Sequence, residues 1–268
     1  MIDAIAHLGL LDDEDIRLDL AALELSALDH PGLDLAPYVD LLDAIESDLR
    51  GIAAAEGDVM AQAGVLAEVF AVRHGFTGDR NSYDAPVNAD LIRVLDRRMG
   101  LPIALSILYV AQARRLGWSA HALNTPAHVM VRLGADEGAV VVDPFHEGAL
   151  VSRDTVVRLI RQALGPGATI DAQNMAPLSN RLTLVRLLTN QVIRAEQGKD
   201  LARALSVQER IATVAPSHGQ GWWDLARFQL SAGQVDSARE SLSAMLEVTR
   251  DPEMRAQVST ALESLAGR

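Results

Sequence analysis

The segment from Pro102 to Ala113 is apolar nearly all round, and charge returns only at Arg114. A helix without a polar stripe cannot lie on a surface; it has to be covered on several sides. Pro102 suits its first turn, where the missing N–H costs nothing, and Gly117 suits its end. The fold must therefore be built around a buried central helix, and the rest of the chain must supply the cover.

Upstream, residues 12–75 read as helical. Asp12 or Asp13 can cap a first helix that carries Ile16, Leu20, Leu23 and Leu28 on one stripe. Pro31-Gly32 breaks the pattern. Tyr38, Leu41, Leu42 and Ile45 then recur at helical spacing, and Val59 to His74 gives another helix closed by Gly75. From Gly75 to Pro86 turn formers dominate, which reads as a loop. Asn88 is placed to cap a helix carrying Leu91, Ile92, Val94 and Leu95, stopped by Gly100.

After Gly117 the period changes from helical to alternating. Residues 120–124, 128–133 and 139–143 read as strands, with a turn over 134–138 between the last two. A helix against a small antiparallel sheet is an α+β layout.

Residues 166–180 hold Pro166, Gly167, Asn174 and Pro177 and read as a linker. The chain beyond is all-α and repeats. Leu188 and Trp222, Ala204 and Ala238, and Ile211 and Met245 are each 34 residues apart. With Leu225, Ala226 and Gly233 in the second copy and Pro216 between copies, this follows the tetratricopeptide pattern. The expected organisation is one domain over 1–165 (helical 1–75, core 76–165), the linker, and repeats over 181–268. Two repeats are too few for a free-standing solenoid, so they should pack on the first domain or on a partner.

A net charge of −12 repels phosphate backbones and anionic lipid heads, so neither nucleic acid nor a membrane surface is the expected partner. The best basic patch is only Arg97-Arg98. There is no cysteine, which removes disulfides, thiolate metal sites and thiol nucleophiles together. The start, Met1-Ile2-Asp3-Ala4, lacks the features of a signal peptide, and no apolar run of about 18 residues is present. A cytoplasmic protein is expected.

Three segments carry candidate chemistry. They are Arg98-Met99-Gly100-Leu101-Pro102-Ile103 at a helix start, Pro126-Ala127-His128 at a strand, and Val142-Asp143-Pro144-Phe145 at the next strand's end. A cysteine protease or transamidase needs a nucleophile at a helix N-terminus, a His to take its proton, and an acid to orient the His. With Asn81-Ser82-Tyr83-Asp84, Asn88, the run from Val94 to Leu105, Leu108-Tyr109 and Arg115-Leu116-Gly117, these segments resemble the SirB-type transglutaminase-like proteins of bacteria. That resemblance covers roughly residues 12–260 and implies a transglutaminase-like, cysteine-proteinase-like core followed by tetratricopeptide-type repeats.

In catalytic members of that superfamily the nucleophilic cysteine lies fifteen residues before the glycine that closes the central helix. Counted back from Gly117, that position is Pro102. The resemblance puts His128 on the family's histidine and Asp143 on its acid. The reactive member of the triad is therefore absent, and the expected function is a non-catalytic interaction or regulatory protein. The alternative is a hydrolase or transferase that uses Ser106, one turn after Pro102, as nucleophile, or His128 and Asp143 as an acid–base pair. A serine one turn into a buried helix is more commonly bonded back to a backbone carbonyl.

His128 and Asp143 can equally be a structural pair, or hold a ligand without chemistry. With His146 and Glu147 they can be read as metal donors, but no fixed ligand spacing supports this, so no metal and no cofactor is expected. Asn81-Ser82-Tyr83-Asp84 forms a recognition loop or a self-bonded turn, and Asn81, Tyr83 and Asn88 are binding candidates. Trp222 is a repeat anchor by position, which leaves Trp223 as the aromatic candidate for binding a protein or peptide partner.

Overall fold

A computed structural model describes residues 2–52, 58–135, 138–165, 167 and 169–265. The chain divides into two compact units, Asp13–Leu184 and Met1–Asp12 with Val185–Arg268. This partition differs from the expected one at both ends: the first twelve residues group with the repeats, and the boundary falls at 184 rather than within 166–180.

The first of these units opens with helices. After α1 (Ala6–Leu10), which lies in the other unit, come α2 (Leu18–Ala27), α3 (Ala36–Ile52) and α4 (Val59–Ala67). The last continues as a π-helical segment, Glu68–Arg73, so the helix expected to His74 widens over its final turn. Phe70 on this segment stacks on Tyr109 at 4.4 Å. Within the expected loop, β1 (Thr77–Gly78) pairs in parallel with β2 (Met99–Gly100), and α5 (Leu91–Arg97) lies between them in sequence.

The central helix is α6 (Pro102–Arg115), with Pro102 in its first turn. Every residue from Pro102 to Ala113 is buried. It packs against α2, α3 and the sheet strands β3 (Ala120–Ala122) and β4 (Val131–Leu133). At its C-terminal end Arg115 ties it to α2 through Asp19 at 2.5 Å and to α3 through Asp43 and Glu46 at 3.0 and 3.1 Å.

The sheet runs β3-β4-β5-β6, all antiparallel, with β5 (Val140–Asp143) and β6 (Ala149–Val151). The fourth strand and α7 (Arg153–Leu164) add to the expected helix and three strands. Val131 pairs with Val142 and Ala122 with Val131, so these three share a face. The opposite face carries Val141 and Val151, which pack against Val156 and Ile160 of α7. The turn expected over 134–138 lies partly outside the described residues, as does Pro166. The described part of the expected linker holds a short 3-10 helix, Ala172–Met175, and then an extended stretch that bridges β3's neighbour Leu123 at Pro177. Asn124 N–H donates to Ala176 O at 2.9 Å and Leu178 N–H to Ala122 O at 2.8 Å, so the segment extends the β3 edge.

Two capping expectations are corrected. Neither Asp12 nor Asp13 caps α2, whose start at Arg17 has no side-chain cap. Asp13 instead caps α8 (Asn180–Gln197): its carboxylate accepts the N–H groups of Asn180 and Arg181, both at 2.9 Å. Asn88 does not cap α5 either; Asp90 does, accepting from Ile92 and Arg93. Asn88 is fully buried and holds the Asp79–Tyr83 loop, donating to Ser82 O at 2.6 Å and accepting from Arg97 at 2.7 Å. Arg97 also pairs with buried Asp79 at 2.6 Å, and Ser82 N–H donates to that carboxylate at 2.8 Å. With Arg98 lying over the Phe76 ring, both members of the short basic run are engaged.

The second unit has α9 (Leu201–Val214), α10 (Gly219–Ser231), α11 (Val235–Val248) and α12 (Pro252–Leu265). The matched positions Leu188, Ala204, Ala238, Ile211 and Met245 are all buried, as the repeat requires. Trp222 is half-buried, and its indole N–H donates to Pro216 O at 2.8 Å.

Asp13→Ala should destabilise the fold by about 1–2 kcal/mol, the usual worth of a lost N-cap, and lower the melting midpoint by roughly 2–8 °C. Exposed Asp12→Ala should stay within about 0.5 kcal/mol. Thermal unfolding of both variants checks this. Asp79→Asn should cost about 1–3 kcal/mol, because Arg97 loses its charged partner in a buried site. The Arg97 hydrogen bond holds the Asp79 carboxyl below the usual range despite burial. Its contribution is therefore fully present above the ordinary carboxylate pKa near ~3.9 and is lost as pH falls through the depressed folded value. Urea midpoints from neutral pH down to acid should show the wild-type advantage shrinking only below that range.

Candidate functional site

The site forms where β5 ends. Asp143 is the last residue of the strand, 5% exposed, and its carboxylate begins a short 3-10 turn, Pro144–His146, by accepting Phe145 N–H on Oδ1 at 3.0 Å. The other oxygen, Oδ2, meets two imidazoles: His128 Nε2 at 2.8 Å and His146 Nδ1 at 2.7 Å. Burial alone would raise the Asp143 carboxyl. The hydrogen bonds and charges of the two histidines more than offset this and hold it below the usual carboxylate range.

His128 is placed by a tight turn rather than by a strand, since β4 starts only at Val131. Its N–H donates to Pro126 O at 2.7 Å, closing a three-residue turn around Ala127, whose φ is 62°. A non-glycine residue in that region costs of order 1–3 kcal/mol, so the turn persists because the surrounding structure enforces it. Thr125 Oγ1 adds a bond to His128 O at 2.5 Å. On the other side, Glu147 follows His146 with φ 59° and turns the chain into β6.

Phe145 is the floor of the cluster. Its ring lies edge-to-face with His128 at 5.6 Å, His146 at 5.3 Å and Tyr83 at 5.7 Å. It can reach this position because Gly78 has no side chain; a Cβ there would stand 2.4 Å from the ring. Beneath, a Cβ on Gly148 would stand 2.9 Å from the Tyr109 hydroxyl of α6. Burial pushes the Tyr109 hydroxyl well above its usual range, and the charges of Asp143 and Glu147 add to the effect.

Of the residues singled out in the sequence, His128 and Asp143 meet as expected, and Tyr83 joins them through Phe145. Asn81 lies exposed in its loop, and Asn88 is buried below it with its amide fully used. Trp223 belongs to the repeat unit and is half-buried, with part of its ring against the α10–α12 core. Ser106 is fully buried, and its Oγ is bonded neither to His128 nor to a backbone carbonyl among the described residues. Pro102 is buried too, with Leu101 and Ile103 beside it at 1% and 2% exposure. The start of α6 is closed off. Glu147 turns away to accept from Thr77 Oγ1 at 3.1 Å, which leaves His128, Asp143 and His146 as the convergent donor set.

Sequence reasoning missed Tyr109 and Thr125 as parts of the site. The signal for Tyr109 was present, since it lies two helical turns beyond Pro102 on the same face of a buried helix. Thr125 had none, because its role depends on the turn at Ala127.

Residues 36–189 match the family model described as the transglutaminase-like superfamily, and residues 195–259 match a tetratricopeptide-repeat model. The chain is 28% identical to a UPF0162 protein of Xylella fastidiosa (strain 9a5c) over 244 residues, covering 90% of this chain and 87% of that one. A UPF0162 protein of Vibrio cholerae serotype O1 is 28% identical over 146 residues, 53% of this chain and 54% of that one. F-box only protein 21 of Mus musculus is 38% identical over 82 residues, 27% of this chain and 13% of that protein. Among the described residues, no helix is long and apolar enough to cross a membrane. The superfamily match spans more than half of the sequence, and the chain belongs to the transglutaminase-like superfamily, with tetratricopeptide repeats following the domain.

Proposed function

We propose that this chain is a non-catalytic binding or regulatory protein. Its transglutaminase-like domain holds a ligand at the His128–Asp143 site, and its repeats engage a protein or peptide partner. One observation carries the reading. Counted back from Gly117 as the resemblance implies, the superfamily's nucleophile position falls on Pro102, which is buried at the start of α6 in a chain without cysteine. Proline has neither a nucleophile nor a donor. Ser106 does not replace it, because a fully buried hydroxyl behind a closed helix start meets no substrate. The His128–Asp143 pair survives without the group it would activate, which suits recognition rather than turnover. The repeats support the partner half of the proposal by type alone. The absence of cysteine suits a reducing cytoplasm, where we place the protein.

The rival is an enzyme that uses Ser106, or His128 and Asp143 alone as acid and base. A fluorophosphonate probe followed by mass spectrometry, with a panel of peptide, amide and ester substrates, separates the two. The expected result is no adduct on Ser106 and no turnover above buffer. Turnover that disappears in His128→Ala, or a Ser106 adduct that needs His128, sinks the binding proposal.

A further inference from the structure

We infer that His128, Asp143 and His146 form a binding site for a single divalent transition-metal ion of the zinc type. The three side chains each present one donor atom, and these atoms all lie within 4.8 Å of one another. A tetrahedral ion with bonds near 2.0–2.1 Å requires donors about 3.4 Å apart. The two imidazole nitrogens now stand 2.8 and 2.7 Å from Asp143 Oδ2. Side-chain rotations that open these two distances by about 0.6 Å and bring the two nitrogens, now within 4.8 Å of each other, to the same spacing meet the tetrahedral requirement.

The chain itself supplies the comparison. His30 pairs with Asp90 at 2.6 Å and His74 with Asp48 at 2.8 Å, each one imidazole on one carboxylate. Among the described residues, only Asp143 collects two imidazoles on the same oxygen. For both bonds to form without an ion, each ring must carry its proton on the nitrogen that faces Oδ2. Ion binding requires each ring to carry its proton on the opposite nitrogen instead, so that both facing nitrogens and Oδ2 offer lone pairs to one ion. Asp143 Oδ1 is meanwhile fixed by Phe145 N–H, the kind of outer bond that orients a ligating carboxylate. The strained turn at Ala127 and the left-handed Glu147 hold the two histidines from either side of the cluster. His146 is half exposed, so an ion has a way in.

The donor chemistry selects the ion. Two imidazoles and one carboxylate favour zinc-like ions over magnesium or calcium, which prefer oxygen. Three protein ligands also leave one position for water or for an anionic group of a partner. Ion binding here rests on reading the site as a ligand site, and the two fail separately: a negative titration leaves the turnover result untouched, and turnover leaves the titration untouched.

The test is isothermal titration of the full-length, EDTA-dialysed protein with Zn²⁺ alone. The wild type should take up one ion per chain. His146→Ala, at a half-exposed position where folding is safe, should weaken binding by about tenfold or more. His128→Ala/His146→Ala should abolish one-to-one uptake while circular dichroism stays native. His74→Ala, at one of the simple pairs, should bind as the wild type does. A wild-type chain that takes up no Zn²⁺ at micromolar concentration, or a double variant that binds as tightly as the wild type, overturns the assignment.

Discussion

The burial of α6 is the constraint on which the rest depends. Its large apolar side chains, Ile103, Leu105, Ile107, Leu108, Tyr109 and Val110, are all at most 2% exposed. At roughly 1.5–3 kcal/mol for each side chain taken from water, this one helix contributes on the order of 10 kcal/mol, an upper estimate because unfolded chains are not fully extended. Cover on every side follows from it. The helices α2 and α3 supply one side, the sheet supplies another, and Arg115 locks the exposed end. The same constraint buries the start of the helix and Pro102 with it. A helix start pressed into a core is a good place for proline and a poor place for a nucleophile. The cost shows in the polar atoms left inside, since neither Ser106 Oγ nor the Tyr109 hydroxyl has a hydrogen-bond partner among the described residues. Each such atom typically costs about 1–3 kcal/mol.

Where α6 sets the frame, Asp143 sets the site. One oxygen of its carboxylate caps the turn that follows β5, and the other receives two histidines. The carboxylate is thus both a structural cap and the electrostatic centre of the cluster. These roles are coupled through the backbone, because the Pro144–His146 turn that Asp143 caps is the turn that delivers His146 to it. Asp90 likewise caps α5 through Oδ1 and meets His30 through Oδ2, but it receives one imidazole where Asp143 receives two.

Much of this was legible in the sequence because it is local. The all-round apolar run gave α6, the alternation after Gly117 gave three of the four strands, and the 34-residue period gave the repeats. The meeting of His128 and Asp143 was legible too, through the resemblance. What escaped was set by distance along the chain. Asp13 lies beside one helix start in sequence yet caps another, 167 residues away from its Asn180 partner, because an N-cap needs only free N–H groups in space. Asn88 was read as a cap for the same reason in reverse: its side chain is spent on the preceding loop and on Arg97, while Asp90 does the capping. The strand β6 has only three residues, and α7 carries a polar outer face, so neither announced itself. The repeat pattern assigns one indole of the Trp pair to the core and says nothing of its neighbour, which is partly buried as well.

The repeat unit answers how so short an array can stand. Two repeats expose an apolar face at each end, and solenoids need capping elements with a polar outer side. Two flanking segments cover these faces. The N-terminal segment, with Ile5 and Leu8 buried, packs on α9. It approaches so closely that a Cβ on Gly9 would lie 2.3 Å from Thr213 O. At the other end α12 buries Val258 and Leu265 against Ala238, Leu242 and Met245 of α11, while most of its other described residues stay exposed or partly so. A segment far from the repeats in sequence is thus part of their core. The segment Ile2–Leu10 therefore groups in space with the repeats, and the unit's boundary cannot be drawn by cutting the chain once.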